Sequence, residues 1–255
     1  MITIKTDKDI EILREGGRRL AEILQTLAVT VRPGVTASEL NDLAHELASR
    51  DGDKPAFFNY RPAGVKRAYP AALCVSINEE VVHGIPNEEE KILKDGDIVS
   101  LDMGLIHKGL ITDAAITIPV GKVTPELEKL INITREALAV AIKAAKPDNH
   151  IGDIGFAIER LVRPHGYGIV EDLCGHGVGY KVHEDPFVPN FGERGKGEKL
   201  KPGMVLAIEP MLNLGSHQVK LMKDNYTYKT VDDLPSAHFE HTIVITKSGA
   251  EILTK

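Results

Sequence analysis

The chain has 255 residues, 42% of them apolar, and a formal net charge of −6 at pH 7, a composition that supports a substantial core and excludes an intrinsically disordered protein. The acidic balance argues against a surface built to hold nucleic acid or an anionic membrane. Two distant cysteines, Cys74 and Cys174, exclude a disulfide framework or a paired Cys-x-x-Cys zinc site, and no stretch approaches the ~20 apolar residues of a membrane span. The opening MITIKTDKDIEILREGG has no apolar run before a small-residue cleavage site, so a cytoplasmic protein is expected.

A first helix is expected over roughly residues 7 to 29. Residues 31 to 52 then combine a Pro33-Gly34 turn, the capping-box pattern Thr36-x-x-Glu39 and the helical stripe Leu40, Leu43, Leu47. After Val82-His83-Gly84-Ile85-Pro86 comes LKDGDIVSLDMG (93 to 104), which alternates as a strand: Val99 and Leu101 face one way, Ile98, Ser100 and Asp102 the other. The chain turns near His107-Lys108-Gly109 and returns through Leu110 to Asp113. A turn centred between His107 and Lys108 would set Asp102 directly opposite Asp113, with Cβ atoms about 4.5 to 5.5 Å apart.

The second half repeats this order. A helix is expected over roughly 124 to 145, and KPDNHIGDIGFAIERLVRPHG (146 to 166) matches the second helix, Pro33 with Pro147, Leu47 with Leu161 and Gly52 with Gly166. Val182-His183-Glu184-Asp185-Pro186 echoes the earlier V-H-x-x-P, and LKPGMVLAIEPM (200 to 211) echoes the strand, setting Glu209 against Asp102. A duplicated unit of roughly 110 residues follows, with pseudo-repeats at approximately 7-120 and 124-250 inside one catalytic domain spanning 1-255. Grouped helices and grouped strands predict an α+β fold, helices packed outside a largely antiparallel sheet, with a site at the junction of the halves.

Like charges facing each other on a sheet destabilise it unless something neutralises them. Glu209 ends the apolar run Met204 to Ile208, and Glu240 opens the strand through Ile245. One strand-end carboxylate is readily explained by water or a Lys or Arg partner. Four of them, with His176 in Gly175-His176-Gly177-Val178-Gly179, point instead to metal, because four buried negative charges match two divalent ions. Oxygen-rich ligands with one imidazole suit Mn, Co, Fe or Zn. Two such ions can activate a water and polarise a carbonyl, which is amide hydrolysis chemistry. The twinned His83 and His183 are candidates to hydrogen-bond an oxyanion or a leaving nitrogen. His45, His107, His150, His165, His217, His238 and His241 are read as structural, with His241 facing away from its neighbour Glu240. The stretch Gly192 to Gly197 lacks phosphate-loop spacing and reads as a solvated loop.

In order and spacing, SINEEVVHGIP, SLDMG, ITDAA, CGHGVG, VHEDP, AIEPM and FEHTIVIT resemble methionine aminopeptidases of the short type I form, within the creatinase or "pita-bread" superfamily. The resemblance implies a pita-bread fold, a pseudo-two-fold curved antiparallel sheet with two helix pairs outside. It implies that Asp102, Asp113 and Glu240 bind one ion, and Asp113, His176, Glu209 and Glu240 the other. Glu209 would be the general base, His183 would stabilise the tetrahedral intermediate, and His83 would bond the scissile amide. The implied substrates are N-terminal peptides of nascent proteins, cut after methionine before a small second residue, with transient ribosome proximity and a monomeric enzyme. Tyr69 and Cys74 fall where the family lines its methionine pocket; Val182 stands where an aromatic is common and Tyr226 where Trp is often found. The rival readings are an Xaa-Pro aminopeptidase or dipeptidase of the same fold and a non-catalytic pita-bread binding protein.

Overall fold

The computed structural model describes residues 1–50, 52–62 and 64–255. Helix α1 (Asp7–Thr30) starts at Thr6, whose side chain caps the first turn while the Asp9 carboxylate returns a bond to the Thr6 backbone. Helix α2 (Ala37–Arg50) begins at the reciprocal box read from sequence: the Glu39 carboxylate accepts from the Thr36 amide at 2.7 Å, and Thr36 Oγ1 accepts from the Glu39 amide at 3.1 Å. Helix α3 (Pro125–Ala144) has Thr124 as its cap and proline at its start, where a missing N–H costs nothing. Helix α4 (Ile151–Val162) ends in a short turn, Arg163–His165, closed by left-handed Gly166.

In the first half the strands are β1 (Lys54–Pro55), β2 (Cys74–Ile77), β3 (Glu80–Val82), β4 (Ile98–His107) and β5 (Leu110–Pro119). The second half adds β6 (Gly168–Ile169), β7 (Cys174–Gly177), β8 (Glu184–Pro189), β9 (Val205–Ile208) and β10 (Met211–Asn213). The last are β11 (Val219–Leu221), β12 (Tyr228–Thr230), β13 (Ser236–His238), β14 (Glu240–Ile245) and β15 (Ala250–Ile252). Among the described residues the main sheet runs β1-β4-β5-β14-β9-β7-β8, with β2 also on β4 and β15 also on β14. Two three-stranded sheets, β13-β10-β6 and β11-β12-β3, flank it.

The pleat sorts the main sheet into a helix-facing side and a site-facing side. Val99, Leu101 and Met103 of β4 pack with Leu20, Leu24, Leu40 and Ala44 of α1 and α2. Leu206, Ile208, Ile243 and Ile245 of β9 and β14 pack with Leu130, Leu138, Ile154 and Ile158 of α3 and α4. Each buried Val, Leu, Ile or Met side chain among these contributes about 1.5 to 3 kcal/mol of transfer free energy, and Ala44 under about 1. On the opposite face β4, β5 and β14 carry Asp102, Asp113 and Glu240.

The β4-β5 register corrects one expectation. The turn is the pair Lys108-Gly109, both at positive φ (47° and 83°), as a two-residue primed turn requires. Its centre therefore lies one residue later than the sequence reading placed it. Asp102 pairs with Ala115, and Asp113 with Gly104, so the two aspartates are diagonal neighbours on one face. Diagonal neighbours lie about 7 to 8 Å apart, room for a cation between the carboxylates rather than direct contact.

Candidate metal centre

Five side chains carried by five strands converge on the site-facing side, where all five line one cavity. Asp102 comes from β4, Asp113 from β5, His176 from β7, Glu209 from the residue after β9, and Glu240 opens β14. One ligand atom each from Asp113, His176 and Glu240 lies within 4.8 Å of the others, and His176 Nε2 is 3.4 Å from Glu209 Oε1. A register shift in the β7-β8 pair falls between His176 and Gly177; such bulges re-aim side chains. The glycine is required there, because a Cβ on Gly177 would lie 2.2 Å from the Asp185 carbonyl.

The His176 ring is set by its other nitrogen. Nδ1 lies 2.9 Å from the Gly177 carbonyl, which can only accept, so Nδ1 carries the proton and Nε2 presents a lone pair to the carboxylates. Burial first, then His183, pulls the His176 pKa down to about 3, so the ring is neutral and the contact with Glu209 is not an ion pair. A lone pair facing a carboxylate is an arrangement that a bound cation stabilises.

The carboxylates say the same. Asp102, Asp113 and Glu240 are 6%, 3% and 2% exposed, and Asp102 Oδ1, Asp113 Oδ1 and Glu240 Oε1 have no hydrogen-bond partner among the described residues. Burial pushes the Asp113 pKa up to about 7. Burial and then repulsion between neighbouring carboxylates raise Asp102, Glu209 and Glu240 well above the ordinary range. Orphaned, mutually repelling oxygens beside one imidazole lone pair fit a divalent cation, and they fit no apolar or anionic ligand.

His83 and His183 both line the cavity above this cluster, which holds about 250 Å³. His83 has φ 59°, a left-handed conformation that non-glycine residues adopt at a cost. Its neighbour Gly84 is held against β2: the Gly84 carbonyl accepts from the Val75 amide at 2.9 Å, and a Cβ on Gly84 would lie 2.2 Å from the Val75 carbonyl. Burial first and His183 second lower the His83 pKa to about 4, and burial lowers His183, so both rings are neutral donors at pH 7. The His183 ring is open to the cavity, yet protein surrounds that cavity, which is why its charged form is disfavoured.

Tyr69, Cys74 and Tyr226 form an apolar end of the cavity with Phe57. The Tyr69 and Tyr226 rings meet edge to face at 5.1 Å; Tyr69 Oη donates to the Gly84 carbonyl at 2.9 Å and Tyr226 Oη to the Arg67 carbonyl at 2.6 Å. Burial, then Asp102, pushes the Cys74 thiol well up, making it a neutral wall rather than a nucleophile. Val182 is not on this wall. It is 4% exposed and belongs to the buried cluster of Leu13, Ala56 and Val178, because its neighbour His183 takes the cavity-facing position.

Sequence reasoning passed over three residues. Thr242 Oγ1 bonds both backbone groups of Asp113. His238, read as structural, is 1% exposed, with Nε2 3.8 Å from Glu209 Oε2 and neither ring nitrogen paired among the described residues. Tyr60 lines the cavity and bonds His183. The other structural readings stand where partners are seen: His107 Nδ1 is 2.8 Å from Asp53 Oδ1, and His241 turns from the site to Thr254.

The sequence profile of metallopeptidase family M24 matches residues 11–247. A methionine aminopeptidase of Clostridium perfringens is 46% identical over 254 residues, covering 100% of this chain and 99% of its own. The crystal structure of methionine aminopeptidase from Rickettsia prowazekii aligns with a TM-score of 0.95 at 40% identity over 100% of both chains. The prolidase from Pyrococcus horikoshii OT3 aligns at a TM-score of 0.78 and 25% identity, over 99% of this chain and 63% of the prolidase. The α+β pita-bread fold expected from the sequence is thus shared with both groups. A metal-ready carboxylate cluster and a profile match running from the first helix to the last β-hairpin lead to one conclusion: the chain belongs to metallopeptidase family M24.

Proposed function

We propose that the chain is an aminopeptidase that removes the N-terminal methionine of nascent proteins and peptides, preferably before a small second residue. Asp102, Asp113, His176, Glu209 and Glu240 would hold two divalent ions drawn from Mn, Co, Fe and Zn. The observation that carries the reading is the juxtaposition of that buried carboxylate cluster with an apolar end walled by Tyr69, Cys74 and Tyr226 in one cavity. Bound divalent ions supply Lewis acidity that acidifies water and polarises a carbonyl.

The protein's own groups do the rest. Glu209, beside His176, takes the proton of the attacking water and returns it to the leaving nitrogen. His183 donates to the oxyanion as it forms, and His83 bonds the scissile amide. The apolar end holds an unbranched thioether side chain, while the substrate's free α-amine would complete the coordination shell of the ions that the carboxylates and His176 hold, so cleavage is confined to the first residue. Duplication of a two-helix, three-strand unit within one catalytic domain is supported by the strand order, β2-β4-β5 followed by β14-β9-β7. No helix among the described residues is long and apolar enough to cross a membrane. The reading carries with it a cytoplasmic monomer that meets its substrates near the ribosome.

The test is a peptide panel assayed with metal-stripped protein supplied in turn with Mn, Co, Fe and Zn. Cleavage of Met-Ala-Ser, with little activity on N-acetyl-Met-Ala-Ser or on Xaa-Pro peptides, is expected. Preference for Xaa-Pro would move the chain to the prolidase-like branch, and absence of any hydrolysis or metal uptake would make it a binding protein.

A further inference from the structure

The cavity contains two neighbouring imidazoles whose Nδ1 partners differ in kind. The His176 and His183 ring centroids are 4.4 Å apart. His176 Nδ1 faces the Gly177 carbonyl at 2.9 Å, whereas His183 Nδ1 faces the Tyr60 hydroxyl at 2.9 Å. A carbonyl can only accept, so it fixes the proton on His176 Nδ1. A phenol can do either, but phenol O–H is the stronger donor and the imidazole lone pair the stronger acceptor, so the favoured bond is O–H to Nδ1. That bond leaves the proton of a neutral His183 on Nε2.

We propose that Tyr60 is a positioning residue that holds His183 in the Nε2–H tautomer, opposite to that of His176, so that one ring offers a lone pair and the other a donor. The inference rests on the role assigned to His183 above, since only the Nε2–H form can donate to an oxyanion in the cavity. Tyr60 is itself well held. Its amide bonds the Phe57 carbonyl at 2.9 Å, its carbonyl accepts from Tyr69 at 2.8 Å, and the adjoining Asn59 amide bonds the Tyr69 carbonyl at 2.9 Å. The half-buried Tyr60 ring also lies against the His183 ring, centroids 5.5 Å apart, so the phenol fixes both ring orientation and proton position. Fixing a tautomer through the second nitrogen is how a histidine is committed to one role.

The test reads the tautomer directly. In zinc-loaded, ¹⁵N-histidine-labelled protein at pH 8, long-range ¹H–¹⁵N correlation, with His183 assigned by loss of its signals in His183→Gln, is expected to show Nε2 protonated and Nδ1 bare. Tyr60→Phe is expected to give a mixed or Nδ1–H His183, unchanged His176 signals and unchanged metal content, and to lower kcat roughly tenfold with little change in KM. A wild-type His183 protonated on Nδ1, or a Tyr60→Phe protein with an unaltered His183 tautomer, would overturn the proposal. The tautomer is read without substrate, so a protein that cleaves no peptide yet shows this pattern supports the Tyr60 role while refuting the aminopeptidase reading.

Discussion

The hydroxyl of Thr242 accepts a hydrogen bond from the Asp113 amide at 2.8 Å and donates one to the Asp113 carbonyl at 2.7 Å. Thr117 does the same for His238, accepting from its amide at 2.8 Å and donating to its carbonyl at 2.7 Å. Between these two bridges, β5 and β14 pair only at Glu240 with Ala115 and His241 with Ala114. The central strands are thus joined by two backbone pairs flanked by side chains, and the carboxylates of Asp113 and Glu240 project where the strands are held this way.

Thr242→Val keeps the shape and removes both bonds. It leaves two buried backbone groups of Asp113 unpaired, so a loss of about 2 to 4 kcal/mol is expected in urea unfolding of the metal-free protein. Because Asp113 is a shared ligand in this account, divalent-ion affinity should fall by roughly tenfold or more in calorimetry. An unaltered affinity would mean that Thr242 supports the sheet and not the site.

Asp113→Asn should separate stability from function. The amide removes one charge from the repelling cluster and offers N–H donors to the unpaired oxygens of Asp102 and Glu240. The metal-free variant is therefore expected to be more stable than wild type by about 1 to 2 kcal/mol at pH 8, while metal uptake and turnover collapse. Thermal melts with and without chelator check both signs.

The same repulsion predicts a pH signature. Burial raises Asp113 to about 7, and burial with mutual repulsion raises Asp102, Glu209 and Glu240 well above the ordinary carboxylate range, so through these groups the folded metal-free protein binds more protons than the unfolded chain. This contribution is fully present below the unfolded carboxylate pKa of about 4 and is lost as pH rises through the folded value, about 7 for Asp113. Five histidines whose pKa burial lowers, His176 and His238 to about 3, His83 and His241 to about 4, and His183, act oppositely below about pH 6.5, so the carboxylates dominate above it. Metal-free protein should therefore lose melting temperature as pH rises from about 6.5 through the Asp113 pKa of about 7, and saturating divalent ion should abolish that slope. A flat profile without metal would show that the carboxylates are not under strain.

A fourth prediction concerns the loop that carries His183. Lys5 Nζ donates to Glu184 Oε2 at 2.7 Å, with side chains 1% and 5% exposed. The same carboxylate accepts from Thr3 Oγ1 at 2.5 Å and from the Tyr180 and Lys181 amides at 2.6 and 2.9 Å. Lys5→Met strands a buried charge and should cost about 3 to 5 kcal/mol in chemical denaturation. Lys5→Met with Glu184→Gln should recover part of that loss. A single variant as stable as wild type would show that Glu184 is satisfied by its amide donors alone.

How much of this was legible in the sequence depends on the kind of signal each residue leaves. Asp102, Asp113, Glu209 and Glu240 were legible because a carboxylate inside an apolar strand violates the pattern around it, and four violations converge. The four helices were legible from apolar periodicity, and α2 also from its capping box. The β4-β5 register was not, because one residue in the placement of the turn shifts the pairing by two, and both placements leave the aspartates on the same face. Thr242 was invisible, since threonine in a strand breaks no rule. Tyr60 and His183 are 123 residues apart, and Tyr60 sits in a segment with no periodicity to aim its ring. Val182 was misplaced because strand-like alternation gives the cavity to His183 and the core to its neighbour.

Calorimetric titration of chelator-stripped protein with Mn(II) or Co(II), followed by assay of the same sample on Met-Ala-Ser, tests the central claim most directly. The account predicts uptake of two equivalents, loss of the alkaline destabilisation on saturation, and methionine release that appears only with the bound ion. Protein that takes up no divalent ion, or that cleaves the peptide equally well in excess chelator, would contradict it.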